Sequence, residues 1–449
     1  MKIKYLTLLL FCATTLLFSC KKDESTDAKL NEELELALEA VSGGHGLEHF
    51  VLPLSTEFSK IPQDPKNPLT QEKVDLGALL FHETGMGLSP KHGENIAAYS
   101  CSSCHFAAAG FQAGRHQGIA DGGMGFGVNG EGREPNPLYD FLELDVQPVR
   151  SPSALNIAYQ DVILWNGQFG ATGTNAGTEA NWTVGTPKEF NNLGYQGTET
   201  QAIAGQKVHR LVMNDSLCEA INYKEMFDAA FHEVDPAVRY DREHAGLAIA
   251  AYERTLLANQ APFQLWLRGD KNAMTEQEKR GAILFFDKAK CADCHNGPSL
   301  ANMEFNALGM KDLFENSELT YGADATSGGN FGRYDFTKNE SDKFRFKVPQ
   351  LYNIADSPFY GHGASFTSIR DVVVYKNKAV KENPNVPDSQ LADDFLPLNL
   401  TDDEIDDITA FLTNALRDPN LLRFQPLSIR SGQCFPNNDP QSKLDLGCN

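Results

Sequence analysis

The sequence predicts a mainly α-helical fold in which one structural plan is used twice. The chain has 449 residues, and the pattern Cys-x-x-Cys-His occurs at two places in it. A capping box at 275–278 predicts a helix just before the second copy, and another at 401–404 begins a helix with an apolar stripe. Helical patterns over 72–81 and 243–258 stand in the same relation to the first copy. The intervening segments are predicted to be long Gly-rich loops, especially 110–132 and 167–198.

The repeated pentapeptide is the attachment motif of c-type haem. Its two thiols bond covalently to the porphyrin, and the following histidine binds the iron from one side. A structural zinc site or a dithiol redox pair would need further ligands or a βαβ context, and neither explains the repeated histidine. We therefore predict two covalently bound haem c groups. The predicted attachment residues are Cys101, Cys104, Cys291 and Cys294, and the predicted iron ligands are His105 and His295.

With the haem groups added, the helical plan becomes two cytochrome c-like helical haem domains with long Gly-rich loops. A helix ahead of the haem motif and a helix that closes the domain are the plan of a small cytochrome c fold. We place the N-terminal haem domain at 45–262, the C-terminal haem domain at 263–425 and a tail at 426–449. Cys434 and Cys448 flank a Pro/Asn/Asp-rich stretch and are predicted to form a disulfide, with free thiols as the alternative.

The N-terminus has the features of an export signal. Residues 1–19 contain two lysines and then an apolar run too short for a comfortable membrane span. The small residue before Cys20 resembles a lipoprotein signal, in which Cys20 becomes the lipidated first residue; ordinary cleavage is the alternative. Residues 20–44 are then expected to be a lipid-anchored tether, which begins with a polar stretch at 21–25 that has little to pack. The expected location is the cell envelope, as a lipoprotein of the periplasm or outer membrane, with surface exposure also open.

The charge balance narrows the range of partners. The chain carries 39 lysines and arginines against 60 aspartates and glutamates, a formal net charge of −21. Such an acidic surface argues against nucleic-acid binding and favours basic or dipolar redox partners. No other apolar run approaches the length of a membrane span, so the lipid is the only expected membrane contact. Self-association as a homodimer stays open.

Five ordered segments carry a family resemblance: 76–82 (LGALLFH), 150–156 (RSPSALN), 165–167 (WNG), 346–353 (FKVPQLYN) and 358–363 (PFYGHG). Together they resemble the bacterial di-haem cytochrome c peroxidases, which include the methylamine-dehydrogenase maturase MauG. The resemblance implies an enzyme that reduces hydrogen peroxide to water at the N-terminal haem. Electrons would arrive through the C-terminal haem from a small donor protein, a cytochrome c or a cupredoxin. It also implies that Trp165 relays electrons between the haems; a packed aromatic is the alternative.

The distal side of the first haem departs from that family. Its members carry a Glu-Met pair whose glutamate is the distal acid and base, whereas counting onward from 198–201 reaches Val-His-Arg-Leu at 208–211. His209 is the predicted replacement, because its ordinary pKa lies near neutrality, with a structural role as the alternative. Glu199 is the reserve candidate. His116 resembles in place the histidine that closes the peroxidatic iron in some resting peroxidases.

The second haem lacks the methionine ligand that the resemblance would supply. Family members with a high-potential C-terminal haem use a methionine after the Pro…His-Gly signature, whereas the last methionine here is Met310. Tyr375 is the predicted iron ligand, because MauG uses tyrosine at this haem. A packed aromatic is the alternative role for Tyr375, and Met310 or Met303 stay open as ligands. An anionic oxygen ligand would stabilise ferric iron and lower the reduction potential.

Three functions stay open at this point. Hydrogen-peroxide reduction is the leading prediction. MauG-like oxidation of a protein or organic substrate through high-valent iron is favoured by the missing methionine. A non-catalytic di-haem electron carrier is the third. Calcium between the domains is common in the family, but the position of its asparagine ligand corresponds here to Arg150, so a calcium ion has little support from the sequence.

Overall fold

The computed structural model describes residues 26–448. The predicted export signal and Cys20 therefore lie outside the described residues. The fold is mainly α-helical, as predicted. In the described part the α-helices are α1 (Thr26–Val41), α2 (Gln71–His82), α3 (Gly197–Val208), α4 (Asp215–Ala220), α5 (Lys224–Ala230), α6 (Arg242–Arg254), α7 (Pro262–Leu267), α8 (Glu276–Phe286), α9 (Tyr334–Thr337), α10 (Ile369–Lys378), α11 (Asp402–Ala410) and α12 (Pro440–Leu446).

The strands of the described chain form two short antiparallel pairs. β1 (Gly123–Met124) pairs with β2 (Glu134–Pro135), and β3 (Phe305–Asn306) pairs with β4 (Phe346–Lys347). Both Cys-x-x-Cys-His motifs begin on single 3₁₀ turns rather than on long helices. The motifs are therefore positioned by the helices packed around them.

Two helix pairs cross at a glycine, one pair beside each motif. α2 packs against α6, and α8 packs against α11. A Cβ on Gly77 would meet the Ala248 carbonyl oxygen at 1.9 Å, and a Cβ on Gly281 would meet the Asp407 carbonyl oxygen at 1.9 Å. Backbones that approach this closely require glycine. The same crossing is thus present in both halves, while the division into two haem domains stays a prediction.

Residues 26–41 of the segment predicted as a lipid-anchored tether form the helix α1. α1 buries Leu30, Leu34 and Leu38, and it packs against α8. A spacing of four residues places these leucines on one face of the helix. At the same interface, the buried Lys279 amine lies 2.5 Å from the Asp27 carboxylate. α1 therefore docks on the fold, whereas the stretch 21–25 predicted to have little to pack lies outside the described residues.

The C-terminal tail folds back onto the N-terminal half. The predicted disulfide between Cys434 and Cys448 is present, and α12 contacts β1. The buried Arg133 guanidinium lies 3.3 Å from the Asp439 carboxylate. The tail therefore belongs in space to the half that carries the first motif, although it follows the second half in sequence.

One hydrophobic core runs through both halves of the described chain. It contains Phe81 of α2 and Tyr252 of α6 as well as Phe286 of α8 and Phe411, which follows α11. Within residues 26–448, no helix combines the length and the apolar character that crossing a membrane requires.

Candidate haem site

One cavity is lined by both Cys-x-x-Cys-His motifs. The two helix pairs supply apolar walls, including Phe81, Ile249, Phe285 and Ile408. The polar, ionisable or sulfur-containing side chains on its wall include Cys101, Cys104, His105, Asp145, Trp165, His209, Glu253, Cys291, Cys294, His295, Met310 and Lys376. A largely apolar chamber that reaches both motifs has the shape and chemistry that a pair of haem groups requires.

Both motif histidines have one ring nitrogen free for a metal. His105 Nδ1 donates to the Phe111 carbonyl at 3.1 Å, and His295 Nδ1 donates to the Leu300 carbonyl at 3.0 Å. A carbonyl oxygen only accepts, so Nδ1 carries the proton and Nε2 keeps its lone pair. Burial lowers the pKa of each imidazole to about 4. Both rings are therefore neutral at physiological pH, the state that binds iron.

The four motif cysteines suit covalent attachment better than thiolate chemistry. They are free of disulfides, and burial raises the pKa of all four thiols to about 12. Zinc binding and dithiol redox chemistry both use the thiolate, which these surroundings disfavour. Among residues 26–448, no three side chains of the His, Cys, Asp and Glu types are arranged to hold a metal ion. The residues present therefore fit two attached haem groups.

The C-terminal tail covers the turn that carries the first motif. The hydroxyl groups of Ser100 and Ser103 donate to the Pro436 carbonyl at 3.0 and 3.2 Å. Ser103 also donates to the Asn437 side chain. The disulfide closes this same tail segment, so the first attachment turn is held from outside the cavity.

His209 faces the cavity and is oriented by a carboxylate. It follows α3, and its Nδ1 lies 3.1 and 3.2 Å from the two carboxylate oxygens of the buried Asp145. Burial disfavours the imidazolium, but the charge and hydrogen bond of Asp145 outweigh it, so the pKa of His209 is raised above its ordinary value. With Nδ1 engaged, Nε2 is the atom left to exchange a proton with a molecule in the cavity.

Trp165 lies on the cavity wall where distant parts of the chain meet. Its Nε1 donates to the Arg150 carbonyl at 2.8 Å, and the Arg150 amide donates to the His362 carbonyl at 2.8 Å. The Trp165 ring meets His362 edge-on with centroids 6.4 Å apart, and His362 stacks on Phe346 at 3.6 Å. An aromatic series therefore continues from Trp165 into the segment that follows the second motif.

Two residues predicted for the distal site lie outside the cavity lining. The Glu199 carboxylate accepts hydrogen bonds from Nε and Nη2 of the buried Arg254 at 2.7 and 2.6 Å. The ring nitrogens of His116 lie 3.0 Å from the Leu319 carbonyl and 2.9 Å from the Glu318 carboxylate. Both side chains are engaged by protein groups, and the roles of Glu199 as a reserve acid and of His116 as the residue that closes the first iron stay predictions.

Tyr375 also points away from the cavity. Its hydroxyl donates to the Leu308 carbonyl, and its ring packs against Phe395 with centroids 5.4 Å apart. The residues that line the cavity here are instead Lys376, the next along the helix, and Met310. The role of Tyr375 as the sixth ligand of the second haem stays a prediction, and its hydroxyl is engaged by a backbone carbonyl here.

Arg150 is a buried cation without a carboxylate partner among the described residues. Its guanidinium donates to the carbonyl oxygens of Arg115 and Ala113 at 2.8 and 3.3 Å, and to the Ser357 hydroxyl at 2.5 Å. Burial lowers its pKa to about 10, so it stays charged at neutral pH. The Arg150 guanidinium already donates to these oxygens. A calcium site therefore stays a prediction without structural support.

Comparison with known proteins points to one family. Residues 71–272 match the model of the di-haem cytochrome c peroxidases. The chain is similar to this family. The match agrees with the five segments that carried the resemblance in the sequence, and the similar proteins include enzymes named cytochrome c peroxidase.

The similar proteins include both cytochrome c peroxidases and MauG. Cytochrome c peroxidase Ccp of Escherichia coli K12 is 28% identical over 354 residues, which cover 78% of this chain and 59% of that protein. The methylamine utilization protein MauG of Methylorubrum extorquens is 25% identical over 362 residues, which cover 80% of this chain and 82% of MauG. This chain thus spans less than two thirds of the E. coli relative.

A solved structure shares the fold. It is that of a MauG-like protein associated with microbial copper homeostasis, with a TM-score of 0.56 and 22% sequence identity. The match covers 87% of this chain and 98% of that protein. The matched family model describes di-haem proteins, which agrees with two haem groups as the cofactors.

Two carboxyl groups of the candidate haem site were missed by sequence reasoning. Asp145 lies 64 residues before His209, and no local pattern connects them. Glu253 lies on the cavity wall at the end of α6, and burial together with the charge of Glu199 raises its pKa to about 8. Its Oε2 has no hydrogen-bond partner among the described residues. The α6 pattern predicted a helix, and nothing in it distinguished Glu253 from a solvated surface residue.

Proposed function

We propose that this protein reduces hydrogen peroxide to water at the first haem, with electrons delivered through the second haem by a small donor protein. The observation that carries the proposal is the single cavity lined by both motifs, with His209 and Asp145 facing it and Trp165 on its wall. Haem supplies the iron that binds peroxide and exchanges electrons. One hydrogen peroxide, two electrons and two protons give two molecules of water.

The chain's own residues provide the ligands and move the proton. His105 and His295 are held by backbone carbonyls through Nδ1, which leaves Nε2 free to hold a haem iron. His209 Nε2 takes a proton from one peroxide oxygen and returns it to the other, so the leaving oxygen departs as water rather than hydroxide. Asp145 stabilises the imidazolium that exists between these two transfers.

Trp165 is the proposed route between the haems. Its indole lies on the wall of the shared cavity, with its Nε1 fixed by the Arg150 carbonyl. A rigidly held aromatic ring offers a low-lying path for an electron and changes little in geometry when the electron passes. The neighbouring stack of His362 on Phe346 keeps water from this part of the wall.

Steady-state peroxide consumption tests the proposal. Oxidised and half-reduced protein are supplied with a reduced cytochrome c or cupredoxin, and the loss of peroxide is followed. We expect donor-dependent turnover, with His209→Ala slower by about 10²–10⁴-fold because the proton shuttle is lost. His232→Ala, at an exposed histidine, is the matched control and should match the unaltered protein. Equal rates in His209→Ala and the control would overturn the assigned role.

Oxidation of a protein or organic substrate is the second candidate function. The observation that favours it is the absence of any methionine after the Pro…His-Gly signature. In that case peroxide is consumed without a reduced donor, and an oxidised product accumulates in proportion. A first haem that binds neither peroxide nor cyanide would instead indicate a di-haem electron carrier.

The proposed location is the cell envelope, with a lipid on Cys20 as the anchor. The support is the sequence of the first twenty residues, which lie outside the described part. Cys20→Ser is expected to release the protein from membranes into the soluble fraction, because only the acyl chains hold it there. Membrane retention of this variant would contradict the anchor.

A further inference from the structure

We propose that the side-chain amine of Lys376 is the sixth ligand of the second haem iron. The inference rests on the proposed function, since it assumes a haem attached at Cys291 and Cys294, and it deepens that function. It names the residue that determines which donor proteins can deliver electrons to this haem.

The face of α10 that lines the cavity contains Lys376 and not Tyr375, which distinguishes the two as candidate ligands. Ile369, Val372, Val373 and Lys376 all line the cavity. Their spacing of three, four and seven residues from Ile369 puts them on one helical face. Tyr375 is rotated by about 100° from Lys376 around the helix axis, and its hydroxyl is bound to a backbone carbonyl. The helix therefore presents the lysine, and not the tyrosine, to the haem cavity.

The Lys376 amine lies near the second motif and has no protein counter-charge bonded to it. It interacts electrostatically with Cys291, Cys294, His295 and Asp394. Its Nζ lies 5.6 Å from the centroid of the Phe395 ring. Within residues 26–448 no carboxylate, including that of Asp394, lies at ion-pair distance from the amine. A largely buried amine without a bonded partner is unfavourable unless something binds it, and a haem iron held at the second motif would do so.

There are two alternatives to ligation by Lys376: Met310 could be the ligand, or Lys376 could pair with a haem propionate. Met310 lines the same cavity, but its Sδ packs against Gly361, where an added Cβ would lie 3.0 Å away. Lys376 in its charged form would also suit a haem propionate. Lys376→Arg separates these roles, because arginine keeps the positive charge but is not deprotonated in proteins and so offers the iron no lone pair.

Ligation by an amine has a consequence for electron entry. A neutral nitrogen ligand favours ferric iron more than a thioether does, so the potential of the second haem lies below that of a His/Met cytochrome. Electrons then pass to it only from a donor of similarly low potential. Replacing the amine by a thioether should reverse this preference.

The test compares Lys376→Arg, Lys376→Met, Met310→Leu and Tyr375→Phe with the unaltered holoprotein. The readouts are the number of attached haems, the electron paramagnetic resonance spectrum, the near-infrared charge-transfer band of each ferric haem, and the potential of the second haem. We expect Lys376→Arg to abolish the low-spin signal of the second haem alone. We expect Lys376→Met to introduce a thioether band and to raise the potential. Met310→Leu and Tyr375→Phe should leave the native signal in place.

An unchanged second-haem spectrum in Lys376→Arg would overturn the inference, and a loss in Met310→Leu or Tyr375→Phe would name the ligand instead. If the lysine variants fail to fold, the native protein still decides, because a thioether or phenolate band in its ferric spectrum contradicts an amine. Haem stoichiometry keeps this inference separate from the proposed function. Fewer than two attached haems in the native protein would contradict both, whereas two haems with donor-dependent turnover and no lysine ligand would contradict the inference alone.

Discussion

At the scale of single residues, some members of the candidate site could be predicted from the sequence, and others became apparent only in the structure. Cys101, His105 and their counterparts are recognisable from sequence, because thioether attachment requires a fixed local spacing. His209 was predicted by counting from a family segment, and the structure brings it to the cavity. Its partner Asp145 was not predictable, because a hydrogen bond across 64 residues depends on how the loops fold.

Asp145→Asn is expected to move the pH dependence of peroxide turnover. The carboxylate raises the pKa of His209, so its removal lowers that pKa and the protonated form is lost at a lower pH. His209 acts first as a base, so its neutral imidazole is the active form, and a lower pKa keeps that form populated to lower pH. The acidic limb of the rate profile should therefore shift to lower pH, and the plateau rate should fall by about tenfold because the imidazolium loses its counter-charge. The measurement is turnover against pH for both proteins. An acidic limb that stays in place would show that another group carries the proton.

At the scale of elements, helices with strong caps were predicted well and an amphipathic helix was missed. The capping boxes of Thr275 with Glu278 and of Thr401 with Glu404 are both formed. The pattern over 72–81 corresponds to α2, whereas the pattern over 243–258 extends past the end of α6. α1 was included in the predicted tether. Its many charged residues made the leucine at every fourth position difficult to recognise as an apolar stripe.

Leu34→Ala is expected to loosen α1 from α8. Leu34 is 0% exposed, and truncating a fully buried leucine costs about 2–5 kcal/mol. Leu36→Ala is the matched control, because Leu36 is 59% exposed on the same helix and should change stability by about 0.5 kcal/mol or less. The measurement is amide hydrogen exchange of α1 together with the urea midpoint. Equal behaviour of the two variants would mean that α1 does not dock through this face.

The disulfide of the tail should stabilise the first attachment turn. It joins cysteines separated by 14 residues, and closing a loop of this size is worth about 3 kcal/mol in chain entropy. We expect Cys434→Ser to lower the unfolding midpoint and to speed amide exchange at Ser100 and Ser103, whose hydroxyl groups bind this tail. Dithiothreitol should reproduce the effect in the unaltered protein and add nothing in the variant. An additional effect of dithiothreitol on the variant would point to a different cause.

At the scale of the whole molecule, the repeated helical plan was predictable but its assembly was not. The two motifs and their flanking helices indicated two similar halves. The return of the tail to the first half was not visible, because Asp439 and Asn437 carry no local signal of the distant groups they bind. The same holds for the cavity that reaches both motifs, since its lining residues are spread from Phe81 to Leu412.

The central claim is that electrons arriving at the second haem are used on peroxide at the first. The most direct measurement mixes protein carrying one electron on each haem with a single equivalent of peroxide and follows the spectra of both haems in time. We expect both haems to be oxidised with one peroxide consumed, and oxidation of the second haem to slow in Trp165→Phe while peroxide still binds. Consumption of the peroxide with the second haem left reduced would contradict the account.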